Sequence, residues 1–144
     1  MSLTIDEQVR GISDGARRSA PKGWQKIVLH AEALANVVKI RLAVTLADGS
    51  VTKRVRPERG LGALVAELRG KMHDPAKGTW YVADFTVDGT EVDVEFDYET
   101  CPFGGLIVED DLDSGDADPD LVLEDHTLYP RPVDQLPEWH PARG

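Results

Sequence analysis

In TWYVADFTVDGTEVDVEFDY, residues 79–98, apolar and polar residues alternate on both sides of a turn signal, and this segment is the most informative about the fold. Alternation with a period of two is typical of a β-strand buried on one face. An Asp-Gly pair between two such runs is a strong signal for a two-residue turn. The stretch therefore predicts an antiparallel hairpin that turns at Asp88 and Gly89.

The turn position also predicts which residues lie opposite each other, since a short turn sets the register. It pairs Phe85 with Val92 on an apolar face and Asp84 with Asp93 on a polar face. Two directly opposed carboxylates destabilise a sheet unless something offsets them. On the polar face, the second strand has a carboxylate at every second residue of the chain, so that neighbouring carboxylates lie about 6.8 Å apart. These four residues, here called the carboxylate ladder, are Glu91, Asp93, Glu95 and Asp97.

The region before this hairpin predicts the rest of the sheet. Residues 24–33, 37–46 and 50–56 show the same alternation and predict three more strands. A second Asp-Gly signal, at residues 48–49, predicts the turn between the last two of them.

Three helices complete the predicted order. Thr4 and Glu7 have the spacing of a capping box and predict a helix over residues 4–18. Residues 60–73 carry apolar side chains at helical spacing and predict an amphipathic helix. Prolines in the C-terminal region leave room only for a short helix near residues 133–136.

The order α-β-β-β-α-β-β-α predicts an α+β fold, an antiparallel sheet of about five strands with helices packed on one face. We expect a single domain over residues 1–144, since the sequence has no internal repeat and no Gly/Ser linker. Within it, residues 109–120 are predicted to form a flexible acidic loop. Residues 128–144 are predicted to be irregular apart from the short helix.

Composition excludes several classes of protein. No apolar run approaches the length of about 20 residues that a membrane helix needs, and the N-terminal residues lack the features of a secretory signal. Cys101 is the only cysteine, which excludes an internal disulfide and favours a reducing, cytoplasmic location. One cysteine and four scattered histidines also exclude a closed structural zinc site.

The charge is large and unevenly distributed. The formal net charge of −10 disfavours direct binding to nucleic acid. Residues 1–83 hold 14 Lys and Arg against 8 Asp and Glu, whereas residues 84–144 hold 2 against 18. The C-terminal part therefore has the charge expected of a surface that binds a basic partner.

The segment EDDLDSGDADPD, residues 109–120, is a candidate metal loop because seven of its twelve residues are acidic. An EF-hand loop needs Gly at position 6 and Glu at position 12. Counting from Asp111 places Asp116 and Val122 there, and counting from Asp116 places Leu121 and Thr127 there. We therefore predict no dedicated metal site, and keep a metal- or small-ligand-binding loop as the alternative function.

No motif predicts catalysis or a cofactor. Cys101 is the only candidate thiol nucleophile, and no catalytic signature surrounds it. The sequence has no G-x-S-x-G, H-E-x-x-H, P-loop or dinucleotide fingerprint. We expect a protein that is not an enzyme and has no cofactor. Trp80 is expected in the core or at a partner contact, where buried tryptophans are frequent anchors.

The carboxylate ladder has two interpretations. Lys39, Arg41, Arg54 and Arg56 are predicted on the same side of the sheet and could neutralise it within the molecule. Alternatively, the ladder is open to solvent and attracts a basic partner.

The segment GTWYVADFTVDGTEVDVEFDYETCP, residues 78–102, with LYPR at 128–131 and LPEW at 136–139, resembles the YezG-like immunity (antitoxin) family of bacterial polymorphic-toxin systems. The similarity spans residues 22–140 through short motifs, and the acidic segment 109–120 is not part of it. The resemblance implies a non-catalytic, cytoplasmic protein that binds and neutralises a cognate toxin domain, commonly a nuclease-type one.

A toxin that acts on phosphates is expected to be basic, so the acidic residues are the candidate contacts. The partner is a protein, with no direct contact to nucleic acid or membrane. The predicted partner-binding residues are Trp80, Asp84, Glu91, Asp93, Glu95, Asp97, Glu109, Asp110, Asp111, Asp113 and Asp116.

Overall fold

A computed structural model describes residues 3–143 and confirms the α+β fold in the predicted order. Within these residues, no helix is long and apolar enough to cross a membrane. The elements are α1 (Ile5–Ser19), β1 (Trp24–Leu34), β2 (Val37–Leu46), β3 (Val51–Val55), α2 (Leu61–Lys71), β4 (Val82–Asp88), β5 (Glu91–Asp97) and α3 (Pro119–Leu128). Two short 3-10 helices, Val133–Gln135 and Pro141–Arg143, follow.

The five strands form one antiparallel sheet in the order β3-β2-β1-β4-β5, so that β3 and β5 are its edges. Helices α1 and α2 pack on one face, where alternate residues of the strands meet their apolar side chains. The capping box of Thr4 and Glu7 is present and begins α1. Fully buried core residues include Ile12 and Ala16 of α1, Val65 and Leu68 of α2, and Leu29 and Phe85 of the sheet.

The second hairpin forms, but its predicted register was wrong by two residues. Asp88 pairs with Glu91, so the turn consists of Gly89 and Thr90 rather than Asp88 and Gly89. Gly89 has φ +50°, a backbone conformation that glycine adopts without strain. A shift of two residues moves each partner along the strand but keeps every side chain on its face. Asp84 therefore lies opposite Glu95 rather than Asp93.

The C-terminal region contains one helix that was not predicted, α3. Asp118 caps its N-terminus by accepting a hydrogen bond from the Asp120 N–H, and Pro119 occupies its first position. Pro119 and Asp120, predicted to lie in the acidic loop, are therefore the first residues of α3. The short helix predicted near residues 133–136 is present as the 3-10 helix Val133–Gln135.

A second apolar cluster joins the C-terminal region to the other face of the sheet. Phe103, Ala117 and Val122 pack there against Leu34 of β1 and Val82 of β4. The acidic segment is thereby held at both ends. The Ile107 N–H donates to the Ala117 carbonyl (2.9 Å), and the Asp116 N–H donates to the Phe103 carbonyl (2.8 Å).

His140 makes the stability of this region dependent on pH. It is 3% exposed, and burial, with His126 and Arg131 nearby, lowers the pKa of His140 from 6.5 to about 4. The unfolded chain therefore binds one more proton than the folded chain between these values, so stability falls as the pH is lowered through this range.

We expect the free energy of unfolding to fall by about 2 kcal/mol from this group between pH 7.5 and pH 5. His140→Asn should remove most of that decrease in urea titrations at the two pH values. His73→Asn, a change at a less buried histidine, should leave it in place. An equal decrease in His140→Asn and the unmodified chain would contradict this role.

Candidate functional site

The candidate site lies on the outer face of the sheet, opposite α1 and α2. On this face, one row of paired residues crosses four strands, from Arg41 on β2 through His30 and Asp84 to Glu95 on β5. Charge therefore changes from positive to negative across the face. The acidic end is the edge strand β5.

Three residues of the carboxylate ladder are open to solvent. Glu91, Asp93 and Glu95 are exposed. Within residues 3–143, no Lys, Arg or His nitrogen lies within 4.0 Å of their carboxylate oxygens. Asp88, which the predicted register had placed in the turn, pairs with Glu91 and adds a fourth exposed carboxylate. Here these four residues, Asp88, Glu91, Asp93 and Glu95, are called the acidic edge.

Asp97, the last residue of the ladder, has a local structural role instead. It is half-buried, and its Oδ1 accepts hydrogen bonds from the Glu99 N–H (2.8 Å) and the Thr100 N–H (2.9 Å). Burial opposes its ionisation, but the hydrogen bonds from Thr100 and Glu99 prevail and hold the pKa of Asp97 below its usual value. Asp97 is the last residue of β5, so these hydrogen bonds hold the backbone that follows the strand.

The basic residues of the outer face do not neutralise the acidic edge. Lys39, Arg41, Arg54 and Arg56 make no ion pair with a ladder carboxylate in the described part of the chain. The strand order explains this, since β1 and β4 separate β2 and β3 from β5. The Lys39 ammonium instead lies over the ring of Phe103, 4.8 Å from its centroid.

His30 contacts one member of the like-charge pair on this face, which is Asp84 with Glu95 rather than the predicted Asp84 with Asp93. Its Nδ1 donates to Asp84 Oδ1 at 2.6 Å, and its Nε2 lies 3.8 Å from Glu32 Oε2. Asp84 is thus already engaged, with 43% of its side chain exposed, and is at most a partial contact for a partner. The alternation of β1 had placed His30 on the polar face, but only the pairing of β1 with β4 brings it to Asp84.

The acidic loop lies near Lys39 and Arg41 on the outer face of the sheet, and it does not extend the carboxylate ladder. Asp116 and Gly104 share an open concavity of about 600 Å³ with Lys39, Arg41 and Phe103. The loop exposes its other carboxylates and one apolar side chain, Leu112, which projects fully into solvent. The remaining predicted contacts of this loop, all exposed, are Glu109, Asp110, Asp111 and Asp113.

Trp80, which was predicted as a partner contact, is buried in the core and not on the surface. The chain bends at Tyr81 before β4 begins, so the alternation does not continue to Trp80. The indole is 0% exposed, lies 5.6 Å from the ring of Phe96, and directs Nε1 at the sulfur of Met72 (3.3 Å). Tyr81 enters the second apolar cluster instead.

The arrangement offers little to metal or nucleophilic chemistry. No group of three His, Cys, Asp or Glu side chains among residues 3–143 is placed to hold a metal ion. Burial, together with the charge of Glu32, raises the pKa of the Cys101 thiol to about 11. The thiol therefore stays protonated near neutral pH, which argues against a nucleophilic role.

Comparisons with known proteins add no family to this description. No family model matches the chain, and the search of curated proteins found no significant match.

Proposed function

We propose that this chain is a non-catalytic, cytoplasmic immunity protein that binds and neutralises a basic toxin domain through its acidic edge. The observation that carries the proposal is the placement of Glu91, Asp93 and Glu95. They are exposed on an edge strand, and no basic side chain of the described chain forms an ion pair with their carboxylates. The resemblance of residues 22–140 to YezG-like immunity proteins points to the same function.

Electrostatics explains why such an edge favours a basic partner. At physiological ionic strength the screening length is about 8 Å, so carboxylates about 6.8 Å apart along a strand act together on an approaching charge. The net charge of −10 adds a long-range attraction that accelerates association. An acidic surface of this kind competes well for the electropositive cleft of an enzyme that acts on phosphates. The acidic loop, on the other side of the face, is a second and auxiliary acidic patch.

The test is co-expression with the toxin gene adjacent to this one, followed by co-purification and measurement of association rates. In the triple variant Glu91→Lys, Asp93→Lys, Glu95→Lys, we expect the association rate at low salt to fall at least tenfold and its salt dependence to flatten. The matched control reverses three exposed carboxylates elsewhere. These are Glu67, Glu124 and Glu138.

The two triple variants change the net charge equally, so they separate a local effect from a global one. An equal fall in both variants would show that net charge alone acts. No fall in either would remove the acidic edge as the binding surface. A third variant, Asp110→Lys with Asp111→Lys and Asp113→Lys, measures the contribution of the acidic loop.

A further inference from the structure

The outer margin of β5 is an unpaired strand edge. Between Val92 and Phe96, the described chain shows backbone hydrogen bonds to β4 but to no other strand. Among residues 3–143, Arg17 reaches the start of β5, where it donates to the carbonyls of Gly89 (3.1 Å) and Glu91 (3.5 Å). A row of free N–H and C=O groups is a template for another extended chain.

The side chains of β5 define what such a chain must carry. Val92, Val94 and Phe96 are half-buried on the helix side, at the margin of the core. Asp93 and Glu95 are exposed on the outer side. An added strand would place alternate residues beside each row. Apolar side chains of the added strand would cover Val92, Val94 and Phe96, and its basic side chains would pair with Asp93 and Glu95.

The other edge strand, β3 of a second copy of the chain, is a poorer partner for the β5 edge. Strand β3 has five residues against seven in β5, and a register irregularity interrupts its pairing between Leu42 and Val44. Its Lys53 and Arg54 are basic, yet two copies of net charge −10 repel each other over a distance. The charge therefore favours a foreign, basic strand.

We propose that the β5 edge binds an extended segment of the partner by strand addition, and that this segment is basic on one face and apolar on the other. Backbone hydrogen bonds would supply affinity, and the alternating side chains would supply specificity. The proposal rests on the proposed function for the identity of the partner as a basic protein. It adds the geometry by which that protein is held.

The probe is the peptide acetyl-Lys-Val-Lys-Val-Lys-Val-Lys-amide, titrated into the full chain by calorimetry. In an antiparallel pair, the N–H groups of every second residue face the neighbouring strand. Two analogues are therefore compared, one N-methylated at the three valines and the other at three lysines. Strand addition requires that one analogue bind at least tenfold more weakly while the other stays within about threefold of the parent peptide. If charge alone attracts the peptide, both analogues should bind with equal affinity, and that result would overturn the proposal.

Variants of the chain locate the site. Asp93→Lys with Glu95→Lys should abolish binding of the parent peptide, whereas Glu67→Lys with Glu124→Lys should change it less than threefold, with both variants checked for folding by circular dichroism. Sedimentation without peptide tests the second copy as occupant. Concentration-dependent oligomers that Lys53→Glu with Arg54→Glu abolishes would show that β3 of another copy fills the edge, and the proposal would be wrong.

The outcomes also separate this inference from the proposed function. If a basic toxin domain binds through the acidic edge but the two N-methylated analogues have equal affinity, the proposed function stands and strand addition fails. If one analogue is selectively weakened but no toxin domain is neutralised, strand addition stands and the proposed function fails.

Discussion

Asp125→Ala is expected to lower the free energy of unfolding by about 3–5 kcal/mol, because it leaves the Arg69 guanidinium buried without its counter-ion. Asp125 and Arg69 are 3% and 1% exposed. They form a bidentate ion pair, and Arg69 Nη2 lies 2.9 Å from Asp125 Oδ2. Asp125 Oδ1 also accepts a hydrogen bond from the Ala35 N–H (2.5 Å), in the turn between β1 and β2.

This pair connects α3 to α2 and to the sheet. Arg69 donates in addition to the Trp80 carbonyl at 2.6 Å, so removal of the carboxylate disturbs several elements together. Urea denaturation of the variant gives the measurement. The matched control is Glu124→Ala, an exposed carboxylate on the same helix, which should change the free energy by less than about 0.5 kcal/mol. A loss below 1 kcal/mol in Asp125→Ala would mean that water enters and solvates Arg69 in the folded state.

Trp80→Ala is also expected to lower the free energy of unfolding by about 3–5 kcal/mol, because a cavity replaces a fully buried aromatic side chain. The indole packs on Phe96 and approaches Met72, so its loss affects both β5 and the end of α2. Trp80→Phe keeps most of the apolar volume and should cost clearly less. Chemical denaturation of both variants measures the difference.

The same two variants decide between a core residue and a partner contact. If Trp80 serves only the core, the folded fraction of Trp80→Phe binds the toxin domain with unchanged affinity. A loss of affinity in Trp80→Phe without a loss of stability would return Trp80 to the binding surface. Binding is best measured well below the midpoint of unfolding, since destabilisation alone lowers the concentration of the folded chain.

Local periodicity was sufficient for most of the fold. The period of two in β1, β2, β4 and β5, and the capping box of α1, depend on neighbours close in sequence. Their positions were predicted to within a few residues. Helix α3 was missed because its start, Asp118-Pro119, lies inside an acidic run that gives no apolar periodicity. Its stability depends on Val122 and Asp125, whose partners are distant in the chain.

The candidate site was likewise predicted only in part from the sequence. The sequence placed the carboxylates of residues 91, 93, 95 and 97 on one face, and this held despite the shifted turn, since a shift of two preserves the face. It could not show which of them are free. Asp97 is committed to backbone N–H groups and Asp84 to His30, both through geometry that alternation does not contain.

The spacing of side chains along the chain was enough to predict α1, α2, the five strands, their order in the chain and the faces of the strands, whereas α3 was not predicted. The order of the strands in the sheet, by contrast, follows from tertiary packing, and it places β1 and β4 between the basic strands and the acidic edge. That order keeps Lys39, Arg41, Arg54 and Arg56 away from Glu91, Asp93 and Glu95. Charge pairing depends on distance in space, which composition and periodicity leave open.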